Sequence, residues 1–277
     1  MPTWLTMADR APVITFLSDY GLDDDFVGIC HGVIARVCPQ ARVIDLTHGV
    51  PRQDVRRGAL ILQGALPYLP VGVHLAVVDP DVGAQRRAVA VRLADERLMV
   101  GPDNGLLSLA AARAGGVVEA VDIARSGFRL EPVSATFHGR DIFAPVAAAL
   151  AAGTPLGEVG APCDPDQLIE LSLPEPRLED GLLIAHAVYI DRFGNVAVNV
   201  EHDALAELGL RIGQRVRVTA GGSEDSAVYV RTFADVSPGG LLIYEDAYRR
   251  LSVAVSHGSA AERLGVGVDD ELRIALP

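Results

Sequence analysis

The chain contains no lysine; every one of its 24 basic positions outside histidine is an arginine. That absence excludes a Schiff base, a pyridoxal phosphate anchor, a phosphate-loop lysine and a Ser-Lys dyad. The bias itself reads as genome composition. Cysteine is scarce, and Cys30, Cys38 and Cys163 form an odd number without CxxC spacing. They read as thiols of a reducing compartment, not as a disulfide set or a zinc site. No uncharged apolar run reaches membrane-spanning length, and Met1–Pro12 lacks the basic start and apolar stretch of a secretory leader. The expected location is the cytoplasm, with no membrane partner. A surplus of positive charge is also missing: 36 Asp+Glu leave a net charge of −12, which argues against a nucleic-acid partner. Nor does the chain carry HExxH, a GxSxG elbow, a GxGxxG turn, a phosphate loop or Cys/His ligand spacing.

What is present is an ordinary globular composition, 49% hydrophobic and 22% charged over 277 residues, enough for one or two domains. Val13–Ser18, Arg42–Leu46, Val73–Val78, Val89–Leu93, Leu98–Val100 and Val117–Asp122 read as short strands. Between them, Asp24–Val37, Gln53–Leu66, an alanine-rich segment after Gly105 and a segment from about Asp141 to Ala152 carry helical patterning. Alternating strands and helices predict a three-layer α/β domain with a largely parallel sheet. After the proline-punctuated Leu173–Arg177 the helical pattern mostly vanishes. Short strands with turns follow: Leu182–Ile190, Val196–Val200, Gln214–Thr219, Ala227–Val230, Leu241–Tyr244, Leu251–Val255 and Glu271–Leu276. The expected division is an α/β domain over 1–174 and a smaller β-barrel domain over 175–277.

Asp19, His48, Asp79, Asp81, Asp103 and Asn104 each fall just past a predicted strand, where open α/β sheets bind ligands. Each is equally a residue that caps helices and forms turns. Asp23–Asp25 reads as the acidic first turn of a helix, and His74 and His186 as sheet residues. His138, in Thr136–Asp141, stands beside a glycine that permits close backbone approach. Asp191, Phe193 and Asn195 lie in a turn between two strands and offer a carboxylate, an aromatic face and an amide. A metal held by Asp79 and Asp81 is an alternative reading.

Six stretches carry a resemblance: Leu17–Gly21, Val43–His48, Val77–Gly83, Gly101–Leu107, Thr136–Pro145 and Tyr189–Asn195. In order and spacing the chain resembles the adenosine-forming S-adenosylmethionine hydrolases, also called hydroxide adenosyltransferases, which are relatives of fluorinase and chlorinase. The resemblance implies an α/β domain followed by a β-barrel. It also implies hydrolysis of S-adenosylmethionine to adenosine and methionine by water attack at the ribose C5′ carbon. It places a catalytic Asp, Arg and His on Asp79, Arg86 and His138, with Arg87 as an alternative to Arg86. Asp19 would hold the ribose hydroxyls; Phe137, Asp191, Phe193, Asn195 and Phe233 would line the methionine and adenine parts of the pocket. No cofactor or metal is expected, the substrate is a small molecule, and the family's assembly implies a homotrimer with sites at subunit interfaces. Asp81, Asp246, Ala247 and Ser256 depart from the family pattern.

A sulfonium is already an activated leaving group, so the expected chemistry is the positioning of water and acceptance of its proton. An ionised Asp79 beside the attack path would repel a halide, and Arg92–Gly101 lacks the insertion of the fluorinase. The alternatives are a halogenase of the same family, a metal-dependent nucleotide phosphohydrolase using Asp19, Asp79 and Asp81, and a non-catalytic sensor of an adenosyl ligand.

Overall fold

A computed structural model describes residues 11–276; the leader region judged above therefore lies, up to residue 10, outside the described residues. The chain divides into two compact units, Met1–Leu171 and Ser172–Pro277.

The first unit is built on a seven-stranded sheet of order β2-β1-β3-β5-β4-β6-β7. These strands are β1 (Val13–Ser18), β2 (Arg42–Thr47), β3 (Val73–Val77), β4 (Ala88–Leu93), β5 (Leu98–Pro102), β6 (Val117–Asp122) and β7 (Ala161–Cys163). β2, β1, β3 and β5 pair in parallel, as the alternation of strand and helix predicts. β4 runs antiparallel to both β5 and β6, and β7 runs antiparallel to β6. The reason for the reversal is the connection: Ala94–Arg97 is too short for a crossover, so β4 and β5 can only form a hairpin.

Alternation along β1 supplies two cores. Ile14 and Phe16 enter one with Val27, Cys30, Val33 and Ile34 of α1 (Phe26–Val37) and with α4 (Ala144–Ala151). Leu17 enters the other with Leu62 of α2 (Val55–Ala65) and Ala110 of α3 (Ser108–Arg113). Helices thus cover both faces. Helix α1 starts later than its acids suggest: Asp23–Asp25 precede it and no acid lies in its first turn. Aspartate competes for backbone donors and so favours positions ahead of a helix over positions within one.

Before α4 the chain makes a π-helical turn, Gly139–Phe143, in which Ala144 N–H donates to the Gly139 carbonyl. Pro145 accounts for the change of pitch. It has no N–H to give the Asp141 carbonyl, which instead accepts from Leu130 N–H at 2.8 Å. A short helix, α5 (Leu156–Val159), completes the unit.

The second unit is a closed β-barrel. Its strands are β8 (Arg177–Glu179), β9 (Leu182–Ile190), β10 (Val196–Glu201), β11 (Arg215–Ala220), β12 (Ser223–Tyr229), β13 (Leu241–Glu245), β14 (Arg250–Val255) and β15 (Glu271–Ala275). The order is β10-β14-β13-β12-β11-β15-β9-β8, and a β10–β9 pairing closes the ring of seven, leaving β8 on its outside. Val198, Val218, Ile243, Val253, Leu272 and Ile274 fill the interior. Two helical turns absent from the sequence pattern, α6 (His202–Glu207) and α7 (Ala260–Leu264), bridge barrel strands. Both are too short to show a helical period.

Candidate active site

The C-terminal ends of β1, β3 and β5 bring the predicted polar residues to one edge of the first sheet. Asp19 follows β1, Asp79 lies just beyond β3, and Asp103 and Asn104 follow β5. The turn after β3 is held against a neighbouring segment by a glycine. Gly83 has φ +81°, and a Cβ there would overlap the Ala135 carbonyl oxygen. That close approach carries the Asp79 turn to the segment bearing His138.

Arg86 joins the two. Its Nε donates to Asp79 Oδ1 at 2.8 Å, and its Nη2 donates to Asp79 Oδ2 and to His138 Nδ1, the latter at 2.8 Å. The side chains of Asp79 and Arg86 are 6% and 8% exposed, so the pair is largely shielded from water. Phe143 lies under the guanidinium at 5.1 Å. Burial, and then the Arg86 charge, hold the His138 imidazole below its ordinary range, against the opposing pull of Asp79 and Asp141. His138 is therefore neutral at neutral pH. Arginine cannot accept a hydrogen bond, so Nδ1 is the acceptor and Nε2 carries the proton.

Arg87 faces elsewhere. Its Nε donates to Asp103 Oδ2 at 2.8 Å, and its Nη2 donates to the Gln167 carbonyl. Asp103 also accepts from Ile169 N–H at 2.8 Å, and Asn104 bonds the Val78 carbonyl. These two residues fasten turns. Asp81 is exposed. Both Asp79 oxygens are engaged by Arg86, and among the described residues Asp19, Asp79 and Asp81 form no three-ligand cluster.

Asp19 accepts from Gln53 N–H at 2.9 Å through Oδ2. Phe137 is buried, its ring packed at 5.8 Å from Tyr20 and 5.0 Å from Phe26. Tyr20 is a neighbour of this site that the sequence did not single out, although it sits in the Leu17–Gly21 stretch. Burial, reinforced by Cys30, Asp19 and Asp79, pushes its phenol well above the ordinary value, so it stays protonated. Gly139 gives it room, because a Cβ there would overlap Tyr20 Oη. Burial likewise pushes the Cys30 thiol up to about 12, which leaves it inert as a nucleophile.

In the barrel unit, Asp191 organises its turn. Its Oδ1 accepts from Phe193 N–H at 2.8 Å and Asn195 N–H at 2.9 Å, while Oδ2 accepts from the Asn195 amide at 2.8 Å. Asp191 and Asn195 line a cavity of about 120 Å³ with Tyr189, Tyr244, Asp246 and Ser252. Phe193 and Phe233 are exposed. Asp246 is occupied locally, accepting from Tyr248 N–H, Arg250 N–H and Ser252 Oγ. Ala247 lines the same cavity, and Ser256 is buried, bonded through its backbone to Gly239 and Gly240. No helix among the described residues is long and apolar enough to cross a membrane.

Comparison with known proteins follows the same two-part division. Residues 14–160 match the SAM hydroxide adenosyltransferase N-terminal domain, and residues 185–273 match the C-terminal domain of that family. An (R)-S-adenosyl-L-methionine hydrolase of Salinispora tropica is 49% identical over 95% of this chain and 97% of its own. A fluorinase of Nocardia brasiliensis is 29% identical over 97% of this chain and 99% of its own. A crystal structure of an uncharacterized conserved protein from Thermotoga maritima superimposes with a TM-score of 0.89 at 37% identity, covering 95% of this chain and 99% of that one. Both units, over nearly their whole length, place this chain in the SAM hydroxide adenosyltransferase family.

Proposed function

We propose that this protein hydrolyses S-adenosyl-L-methionine to adenosine and L-methionine. Water forms the new C5′–O bond as the C5′–S bond breaks, methionine leaves as a neutral sulfide, and the proton of the water is released. The reading is carried by the 49% identity to a hydrolase of that name across both units. The fluorinase is markedly less similar, which favours hydrolysis over halogenation.

The Asp79–Arg86–His138 cluster suits this chemistry. Arg86 uses both Nη2 hydrogens and its Nε–H on the other two members, so it fixes their geometry. His138, with Nε2 protonated, donates a hydrogen bond to the oxygen of the attacking water. Asp79 retains lone pairs beyond those engaged by Arg86 and accepts the water's proton. Orientation of this kind is worth about 7–11 kcal/mol in favourable cases, more than the roughly 10²–10⁴-fold that proton abstraction typically adds. A halide would meet the Asp79 carboxylate as a like charge, whereas water donates to it. No acid is needed for a neutral sulfide leaving group, so the reaction calls for no cofactor.

Asp19, with Oδ1 not engaged by Gln53, is assigned to the ribose hydroxyls. Phe137, Asp191, Phe193, Asn195 and Phe233 are assigned to the methionine and adenine groups. The assembly is read as a homotrimer in which the barrel of a neighbouring subunit completes each site, expected as a particle of trimer mass in light scattering. Three unbridged thiols suit a cytoplasmic setting.

The deciding experiment is incubation with S-adenosylmethionine in ¹⁸O-labelled water, with products separated by chromatography and weighed by mass spectrometry. Adenosine carrying solvent oxygen at the 5′ position, together with methionine, is the expected result. Tight binding without product would establish a sensor instead, and a 5′-halogenated nucleoside formed in preference to adenosine would establish a halogenase.

A further inference from the structure

A second cluster lies behind the Asp19 turn, outside the groups assigned to hydrolysis. His31 on α1, Asp45 on the edge strand β2 and His48 just past β2 converge, their ligand atoms all within 4.8 Å of one another. His31 Nε2 is 2.8 Å from Asp45 Oδ1, and His48 Nε2 is 3.0 Å from the same oxygen. The second contact falls short of hydrogen-bond alignment, so the buried His48 Nε2 faces the Asp45 carboxylate without an aligned hydrogen bond. The His48 side chain is only 2% exposed. A ring nitrogen at that depth, facing a carboxylate without a well-aligned hydrogen bond, is incompletely satisfied and favours a further partner.

The surroundings prepare that nitrogen as a ligand. His48 Nδ1 lies 2.7 Å from Ser18 Oγ. When Nδ1–H donates to this hydroxyl, Nε2 carries the lone pair and points at the cluster, the arrangement that orients metal-bound imidazoles. The Phe16 ring packs edge-on to His48 at 4.7 Å and closes the apolar side. The opposite side is open: the side chains of His31 and Asp45 are 35% and 43% exposed, leaving room for coordinated water. Two imidazoles and one carboxylate suit Zn²⁺ and similar first-row divalent ions; Ca²⁺ and Mg²⁺ prefer sites built wholly from oxygen.

We infer that His31, Asp45 and His48 form a binding site for a divalent transition-metal ion of the zinc class. The ion ties α1 to the end of β2. Through Ser18 and the His48 carbonyl, which accepts from Gly21 N–H at 2.8 Å, it also buttresses the turn that carries Asp19. The site takes no part in bond breaking.

The test uses full-length protein without a polyhistidine tag, stripped with chelator and then titrated with ZnCl₂ by calorimetry and with CoCl₂ by visible ligand-field absorption. One saturable equivalent of each metal is expected, with a cobalt spectrum of mixed nitrogen and oxygen ligation. His31→Gln and Asp45→Asn, whose side chains are partly exposed, are expected to weaken binding at least ~10-fold while melting like the metal-free parent. Absence of a saturable equivalent, or binding undiminished in both variants, overturns the site and shows a plain His-Asp-His hydrogen-bonded cluster. Neither readout depends on turnover, so failure here is separate from failure of the hydrolase reading.

Discussion

Arg86 Nη2 and His138 Nδ1 are 2.8 Å apart, and that contact determines which ring nitrogen of the histidine carries the proton. A guanidinium only donates, so His138 presents Nε2–H outward, and burial followed by the Arg86 charge keeps the ring neutral. It serves as a hydrogen-bond donor, and the carboxylate of Asp79 is left as the acceptor in the trio.

Arg86 and Arg87 are adjacent in sequence but should fail differently when changed. Arg86→Lys removes the planar fork that spans Asp79 and His138, and is expected to lower kcat roughly 10²-fold with the melting temperature little changed. Asp79→Asn is expected to cut kcat by about 10²–10⁴ with a smaller effect on KM. Arg87→Ala instead leaves the Asp103 carboxylate, only 4% exposed, without its cation. It should cost about 1–3 kcal/mol in urea unfolding. Steady-state kinetics and denaturation on the same preparations separate the two arginines.

Acid should weaken the fold through His74. Burial, then the Arg97 guanidinium, lower its imidazole to about 4 from an ordinary 6.5, with Asp95 partly opposing. Between those values the unfolded chain binds a proton that the folded chain does not, so stability is full above 6.5 and declines as pH falls towards 4. At about 1.4 kcal/mol per pH unit the loss is about 3 kcal/mol. Unfolding measured across this window should show that slope, and His74→Asn should flatten it.

The close approach at Gly139 makes a steric prediction. Gly139→Ala drives a methyl into Tyr20 Oη, with Tyr20 held among Phe16, Phe26 and Phe137. The expected cost is about 1–3 kcal/mol in thermal or urea unfolding. Tyr20→Phe in the same chain removes the overlapping oxygen and should recover part of the loss; no recovery would place the strain in the backbone.

Much of this protein was legible in one dimension because the responsible physics is local. Runs of β-branched residues mark the strands, and the run Leu182–Ile190 coincides with β9 over its whole length. Loss of helical period after Leu173 marked the change from α/β layers to barrel. The turn chemistry after β1, β3 and β5 placed Asp19, Asp79, Asp103 and Asn104 at one sheet edge. Elements too short to carry a periodic signal, such as β8, α6 and α7, leave no mark in the sequence.

What the tertiary structure alone decided concerns the direction of side chains and the meeting of distant ones. Arg86 and Arg87 are chemically identical neighbours, and only the fold turns one towards Asp79 and His138 and the other towards Asp103. Phe137 is adjacent to His138 in sequence, and only the packing shows that its ring meets Tyr20 and Phe26. His31, Asp45 and His48 have no metal-ligand spacing along the chain, because a helix supplies one and a sheet edge supplies the other two. Residue type and spacing determine which groups are available; the crossing of helix over strand determines which of them share a site.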